Sequence, residues 1–328
     1  MKKLLHNLRV WLVYKKRQLS NSVLGFLGRR GADTFIRWRW PWPLRKPFER
    51  AQLRLYSDGG GIGDEVMCTA VFREIRRRNP RCRVTFISRH SGLFRSNANI
   101  DVVEPYSADA IRGAIRLTYG PSRPPARAVV IRLAECVGLR LQNDQPDLFD
   151  VTPSPWVRAK IDALQKPLIM IQPQASGYTP NKQWSLESWK ELIRLLVAEF
   201  DVVELGTITF FPNHEFGGRF HALAGLTTIV DFAWIISQAS VFIGPVSAGM
   251  HVASAFEVRS IIIYGGYESS EGYRYPFVRP FYSAVPCAPC WLDGPCPYDR
   301  KCLSAIQPEE VFQAARAAVL DPQWTSRK

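Results

Sequence analysis

A glycine-rich run, Gly59-Gly60-Gly61-Ile62-Gly63-Asp64, places a carboxylate where a strand gives way to a helix. A dinucleotide fingerprint would need glycine as its sixth member; counted from Gly59 or Gly61 the run fails, which argues against a nicotinamide-dependent oxidoreductase. Asp64 reads as a helix N-cap and as a carboxylate facing a cleft, able to take a proton from a substrate hydroxyl. The helix N-terminus is expected to lower its pKa and keep it ionised. Gly61 and Gly63 supply the turn. Lys182, in Asn181-Lys182-Gln183-Trp184-Ser185, sits in a loop ahead of a helix that Ser185 caps, where an ammonium can meet an anionic ligand. A third segment, Gly244-Pro245-Val246-Ser247-Ala248-Gly249-Met250-His251, is a strand end, a small-residue turn and a helix start. Such starts present free N–H groups that bind phosphate, and Ser247 and His251 add a hydroxyl and an imidazole. Four thiols, Cys287, Cys290, Cys296 and Cys302, lie in a short tail segment. They could hold structural zinc or iron tetrahedrally, although their spacing is not that of a zinc ribbon; the alternative is a loop without metal.

The elements that must position these groups form two runs. Strands are expected at 53–57, 83–88 and 100–106, with a helix from Glu65 to Arg78; the 110–150 region mixes strand and helix signals. After a Pro-bounded linker at 151–167 the pattern restarts. Strands are expected at 167–173, 201–205, 241–244 and 259–265, and helices at Leu186–Glu199, Asp231–Gln238 and Gly249–Phe256. Short buried strands alternating with helices imply parallel sheets, and two such runs imply two Rossmann-like domains facing a cleft, with ligands beyond the carboxyl ends of the strands. The expected division is a basic extension at 1–50, an N-terminal domain at 51–155 and a C-terminal domain at 156–328.

Composition supports a folded α/β protein: 46% apolar and 22% charged residues exclude wholesale disorder, collagen and coiled coil. The formal charge is +14, but residues 1–50 hold 13 basic and 2 acidic side chains, and the remaining 278 hold 30 and 27. A body so close to neutral is not a nucleic-acid binder, whose basic footprint should cross the folded face. Residues 4–27 carry apolar side chains at helical spacing. RWRWPWPLRKPF (37–48) then interleaves arginine and tryptophan, a composition suited to an anionic membrane surface; packing on the protein's own domains is the alternative. No apolar run approaches the ~20 residues needed to span a bilayer. The odd count of seven cysteines reads as a reducing cytosol rather than a disulfide scaffold.

In this order and spacing, GIGDEVMCTAVFREIRRRNP, NKQWSLESWKELIRLL, IGPVSAGMHVASAFEVRSIIIYGG and CAPCWLDGPCPYDRKCLSAIQPEEV resemble the bacterial heptosyltransferases of glycosyltransferase family 9, over residues 53–320. The resemblance implies a GT-B fold and inverting transfer of a sugar from a nucleotide diphosphate, with no cofactor required. The acceptor, a lipopolysaccharide or related cell-surface glycan, would sit on the N-terminal domain, and the donor, by family default ADP-heptose, on the C-terminal one. Asp64 would be the base, and Lys182, Ser247, Gly249, Met250 and His251 would bind the donor. A subset of the family carries iron on a cysteine finger. A lipid-linked acceptor would place the enzyme in the cytoplasm, peripheral at the inner face of the membrane. Where the family's donor motif has Asp and Gly, this chain has Val246 and Ala248. The competing readings are a catalytically inactive nucleotide-sugar-binding homologue and a transferase for a different nucleotide sugar.

Overall fold

The computed structural model describes residues 47–119, 128–175, 177, 179–321 and 324. The basic extension, apart from its last four residues, therefore lies outside the described residues, and with it the apolar stripe and most of the arginine–tryptophan run. Those last residues belong to the folded body: Pro47 is buried, and the Phe48 N–H donates to the Val137 carbonyl at 3.3 Å.

The first run comprises β1 (Gln52–Ser57), α1 (Ile62–Arg78), β2 (Arg83–Ser88), β3 (Val102–Pro105), β4 (Ile115–Leu117) and α2 (Val129–Glu135). Its strands form a parallel sheet in the order β3-β2-β1-β4. α3 (Pro155–Asp162) follows, inside the segment expected to be a linker. The second run comprises β5 (Leu168–Ile171), α4 (Leu186–Val197), β6 (Asp201–Glu204), β7 (Phe220–Ala222), α5 (Ile229–Ser237), β8 (Val241–Pro245), α6 (Ala248–Ala255), β9 (Ser260–Gly265) and β10 (Val278–Tyr282). Two closing helices, α7 (Lys301–Ser304) and α8 (Pro308–Leu320), complete it. Its six-stranded parallel sheet runs β10-β9-β8-β5-β6-β7. Every residue of β5, β6, β8 and β9 is buried, as expected of parallel strands covered on both faces.

Local chemistry explains where the helices start. Ser185 Oγ accepts the Ser188 N–H at 2.9 Å and caps α4, which turns Trp189, Leu192, Ile193 and Leu196 into the core. Thr228 and Asp231 form a capping box on α5. The Asp231 carboxylate also accepts the Ser154 N–H at 2.6 Å and the Ser154 hydroxyl at 3.0 Å, tying the chain that leaves the first half to the second. α1 begins three residues earlier than the sequence suggested, at Ile62 with Gly61 as its cap, so Asp64 is the third helical residue and not the N-cap. β7 and β10, absent from the sequence reading, are short edge strands; β10 carries Pro280, a residue tolerated at a sheet edge.

Candidate active site

A cleft of about 870 Å³ opens between the two sheets. Its walls are the loops that follow β1, β2, β4, β5, β6, β8 and β9, the carboxyl ends of parallel strands.

On the first half, Asp64 projects from the first turn of α1. One carboxylate oxygen accepts the Gly61 N–H at 3.2 Å and the other accepts the Tyr119 hydroxyl at 3.1 Å. Burial in the cleft pushes its pKa above 3.8. The Gly61 and Tyr119 bonds oppose that rise, and so does the Lys182 ammonium across the cleft. The expected lowering by the helix N-terminus is therefore overridden by desolvation, which leaves a stronger base than the sequence suggested. The glycines around Asp64 are required by contact. A Cβ on Gly59 would lie 2.4 Å from the Asp64 carboxylate, and one on Gly63 would lie 2.6 Å from the His251 ring. Gly63 thus lets the start of α1 touch α6 of the opposite half.

On the second half, β8 delivers Val246 and Ser247 to the turn ahead of α6. The Ser247 hydroxyl donates to Gln172 Oε1 at 3.1 Å. His251 is buried, with Nδ1 2.8 Å from the Tyr275 hydroxyl and its ring edge-on to Tyr273. Burial, reinforced by the charge of Lys182, lowers its pKa to about 3, so the imidazole is neutral at physiological pH. In the tautomer in which Tyr275 donates to Nδ1, the Nε2–H is left to donate. The Lys182 ammonium pairs with the buried Glu268 carboxylate, lies 3.5 Å from the Val246 carbonyl and stands 5.1 Å above the Tyr267 ring. The structure thus brings Asp64, Lys182, Ser247 and His251 to one cleft, while Gly249 and Met250 stand behind it. A Cβ on Gly249 would strike Gln172 and Phe242 at 2.3 and 2.4 Å, and Met250 is buried against the Tyr264 hydroxyl. What those two can offer a ligand is backbone.

Several lining residues carried no sequence signal. Glu65, fully buried next to Asp64, accepts from the Ser88 hydroxyl (2.6 Å) and from the Arg89 (2.8 Å) and His90 (3.2 Å) N–H groups, and pairs with His90 Nδ1 (3.1 Å). It fixes the loop that presents His90 to the cleft. Tyr119, Tyr273 and Glu268 enter from regions without a motif, and Trp291 from the cysteine-bearing segment, where the cysteines alone carry a signal.

The cysteine-bearing segment buttresses the second half's side of the cleft. Asn181 donates to the Leu292 and Gly294 carbonyls at 2.5 and 2.8 Å, the Trp291 N–H donates to Tyr267 at 2.9 Å, and Arg300 reaches the Pro180 carbonyl at 3.4 Å. The loops bearing Lys182 and Glu268 are held by this segment. Among the described residues no group of three or more His, Cys, Asp or Glu side chains is arranged to hold a metal ion. Burial raises the thiol pKa values, Cys290 to about 11 and Cys287 and Cys302 upward, so without a metal these side chains are neutral thiols. The zinc or iron expected at Cys287, Cys290, Cys296 and Cys302 thus finds no support in the arrangement of the described residues.

No protein-family model matches the chain, and no curated protein sequence does. Solved structures do. The E. coli ADP-heptose lps heptosyltransferase II matches with a TM-score of 0.63 at 17% identity, over 83% of this chain and 100% of that one. A family 9 glycosyl transferase from Veillonella parvula DSM 2008 gives 0.63 at 13%, over 84% and 99%. The dodecameric iron-containing heptosyltransferase TibC of E. coli, in complex with ADP-D-beta-D-heptose, gives 0.60 at 14%, over 83% and 79%. The fold is theirs. It is an α/β fold of the GT-B type, two Rossmann-like halves across a cleft, as the sequence resemblance implied.

Proposed function

We propose that the protein is an inverting glycosyltransferase of the heptosyltransferase kind, moving a sugar from a nucleoside diphosphate to the hydroxyl of a glycan or glycolipid acceptor. The observation that carries this reading is the pairing of Asp64 with an anion-ready turn across one cleft. The first half, within 51–155, takes the acceptor, and the second, within 156–328, the donor. Asp64 accepts the acceptor hydroxyl's proton as its oxygen attacks the anomeric carbon. The carbon–phosphate oxygen bond breaks on the opposite face, and negative charge appears on the leaving diphosphate. The N–H groups at the start of α6, the Ser247 hydroxyl, the Nε2–H of neutral His251 and the Lys182 ammonium are the groups that meet that charge. No cofactor enters, and the cysteine segment takes no part beyond bracing the loops.

The E. coli WaaC structures in the same fold hold ADP and a fluorinated ADP-heptose. They support ADP-heptose as the donor to test first; the acceptor to test with it is lipopolysaccharide-type, after the lps heptosyltransferase II of the same fold, and we place the reaction at the inner face of the cytoplasmic membrane. Val246, which leaves the turn without a carboxylate, favours two further readings: an inactive binder and a transferase for another sugar. A thermal-shift panel of ADP-heptose, ADP-glucose, UDP-glucose and UDP-N-acetylglucosamine tests the donor class, since a ligand at 100 times its Kd stabilises by ~2.7 kcal/mol. Slow hydrolysis of the bound donor is the enzyme's signature; binding without hydrolysis supports the binder, and no shift with any member refutes a nucleotide-sugar site.

A further inference from the structure

We propose that Glu268 reads the transferred sugar, its carboxylate accepting hydrogen bonds from two sugar hydroxyls while Lys182 is shared between it and the diphosphate. This inference rests on the donor site described above and names the residue within it that recognises the sugar.

Among the described residues lining the cleft, two carry carboxylates: Asp64 on the first half and Glu268 on the second. Glu268 follows β9 and is 3% exposed. The ammonium that pairs with it also lies 3.5 Å from the Val246 carbonyl, in the turn ahead of α6. The carboxylate is therefore one ammonium away from where a diphosphate would lie. The group of a nucleotide sugar that follows the distal phosphate is the sugar ring.

Stability does not account for this carboxylate. A buried ion pair is often no more stabilising than an apolar pair of similar volume, and a carboxylate beside a diphosphate repels it. A site built only for the diphosphate would be better served by Lys182 alone. A sugar reverses the argument, because vicinal hydroxyls donate two hydrogen bonds to the two oxygens of one carboxylate. Other acceptors at this end are engaged: Gln172 Oε1 accepts from Ser247, and the turn itself offers Val246 and Ala248. The flank is also suited to a sugar. Trp291 packs on Tyr267 with ring centroids 5.4 Å apart, and its buried indole N–H has no hydrogen-bond acceptor among the described residues. Asn181 and Trp291 hold both loops in place before any ligand arrives.

The test is the affinity ratio of ADP-heptose to ADP, measured by calorimetry for the wild type, E268Q and E268A, with folding checked by thermal melting. The ratio is internal to each variant, so a loss of stability does not imitate the effect. The wild type should bind ADP-heptose more tightly than ADP. E268Q should lose about tenfold of that advantage and E268A up to about 100-fold, with ADP affinity unchanged or higher. An equal loss of both ligands would overturn the proposal and make Glu268 a holder of Lys182; so would an unchanged ratio. A wild type that binds ADP but gains nothing from the sugar overturns it while leaving the nucleotide site standing. A wild type that binds neither ADP nor any nucleotide sugar of the panel refutes the donor site and the inference with it.

Discussion

Asp64 has a raised pKa because it is partly removed from water, a rise that the Gly61 and Tyr119 donors oppose without cancelling. Its activity should therefore have an acid limb: the rate rises with pH through a value above 3.8 and then levels. Asp64→Asn keeps an oxygen for the Gly61 N–H but cannot take a proton. Turnover should fall ~10²–10⁴-fold, the acid limb should vanish, and the melting temperature should barely move; a pH–rate profile of both proteins checks all three. His251 contributes no limb in that range, because it is already neutral above about pH 3. Gly63 makes a different demand. Gly63→Ala puts a methyl 2.6 Å from the His251 ring, and forced repacking of this kind costs about 1–3 kcal/mol. Denaturant unfolding should show that loss, and turnover should fall with it because the two helix starts are pushed apart.

At the scale of elements, the loop after β6 shows how a buried side chain sets a segment's stability. Glu204 is fully buried at the strand's end and accepts the Phe210 N–H at 2.9 Å, shaping the loop whose Thr207, Ile208 and Phe210 line the cleft. Burial raises its pKa from 4.5 to about 7. A carboxyl whose folded pKa lies above its unfolded value contributes stability that is complete below 4.5 and lost as pH rises through about 7. Glu204→Gln keeps an acceptor without the charge. It should be more stable than the wild type by about 1–3 kcal/mol at pH 8 and should flatten the pH dependence of chemical denaturation between pH 5 and 8. Such effects were not legible in the sequence, whereas much of the site was. Asp64, Lys182, Ser247 and His251 each sit in a local strand–turn–helix pattern, and local patterns survive folding. Glu268, His90 and Tyr119 act through neighbours far away in the chain, so no spacing announces them. The Asp64 pKa was misjudged because a helix end is visible in one dimension and burial is not. β7 and β10 were missed because short edge strands bury too little to leave a period.

For the whole molecule, the division of labour follows the charge. The folded body is nearly neutral, and the basic excess lies ahead of Pro47, the first of the described residues, which is buried against the body. Removal of residues 1–46 should leave the fold and the donor site intact while abolishing co-sedimentation with anionic liposomes, since each basic residue near such a surface adds ~1 kcal/mol. Unchanged sedimentation would assign the extension another role. The touching starts of α1 and α6 have a kinetic consequence. Each helix start carries about half a positive charge, and Gly63 against His251 sets these like-signed ends side by side. In the proposed reaction a diphosphate at the start of α6 offsets that repulsion, and it stays behind on the spent nucleotide after the sugar has gone. The molecule should thus grip its by-product. Rapid-quench measurements should show a first turnover faster than the steady state, with departure of the nucleoside diphosphate setting the pace and added salt hastening it.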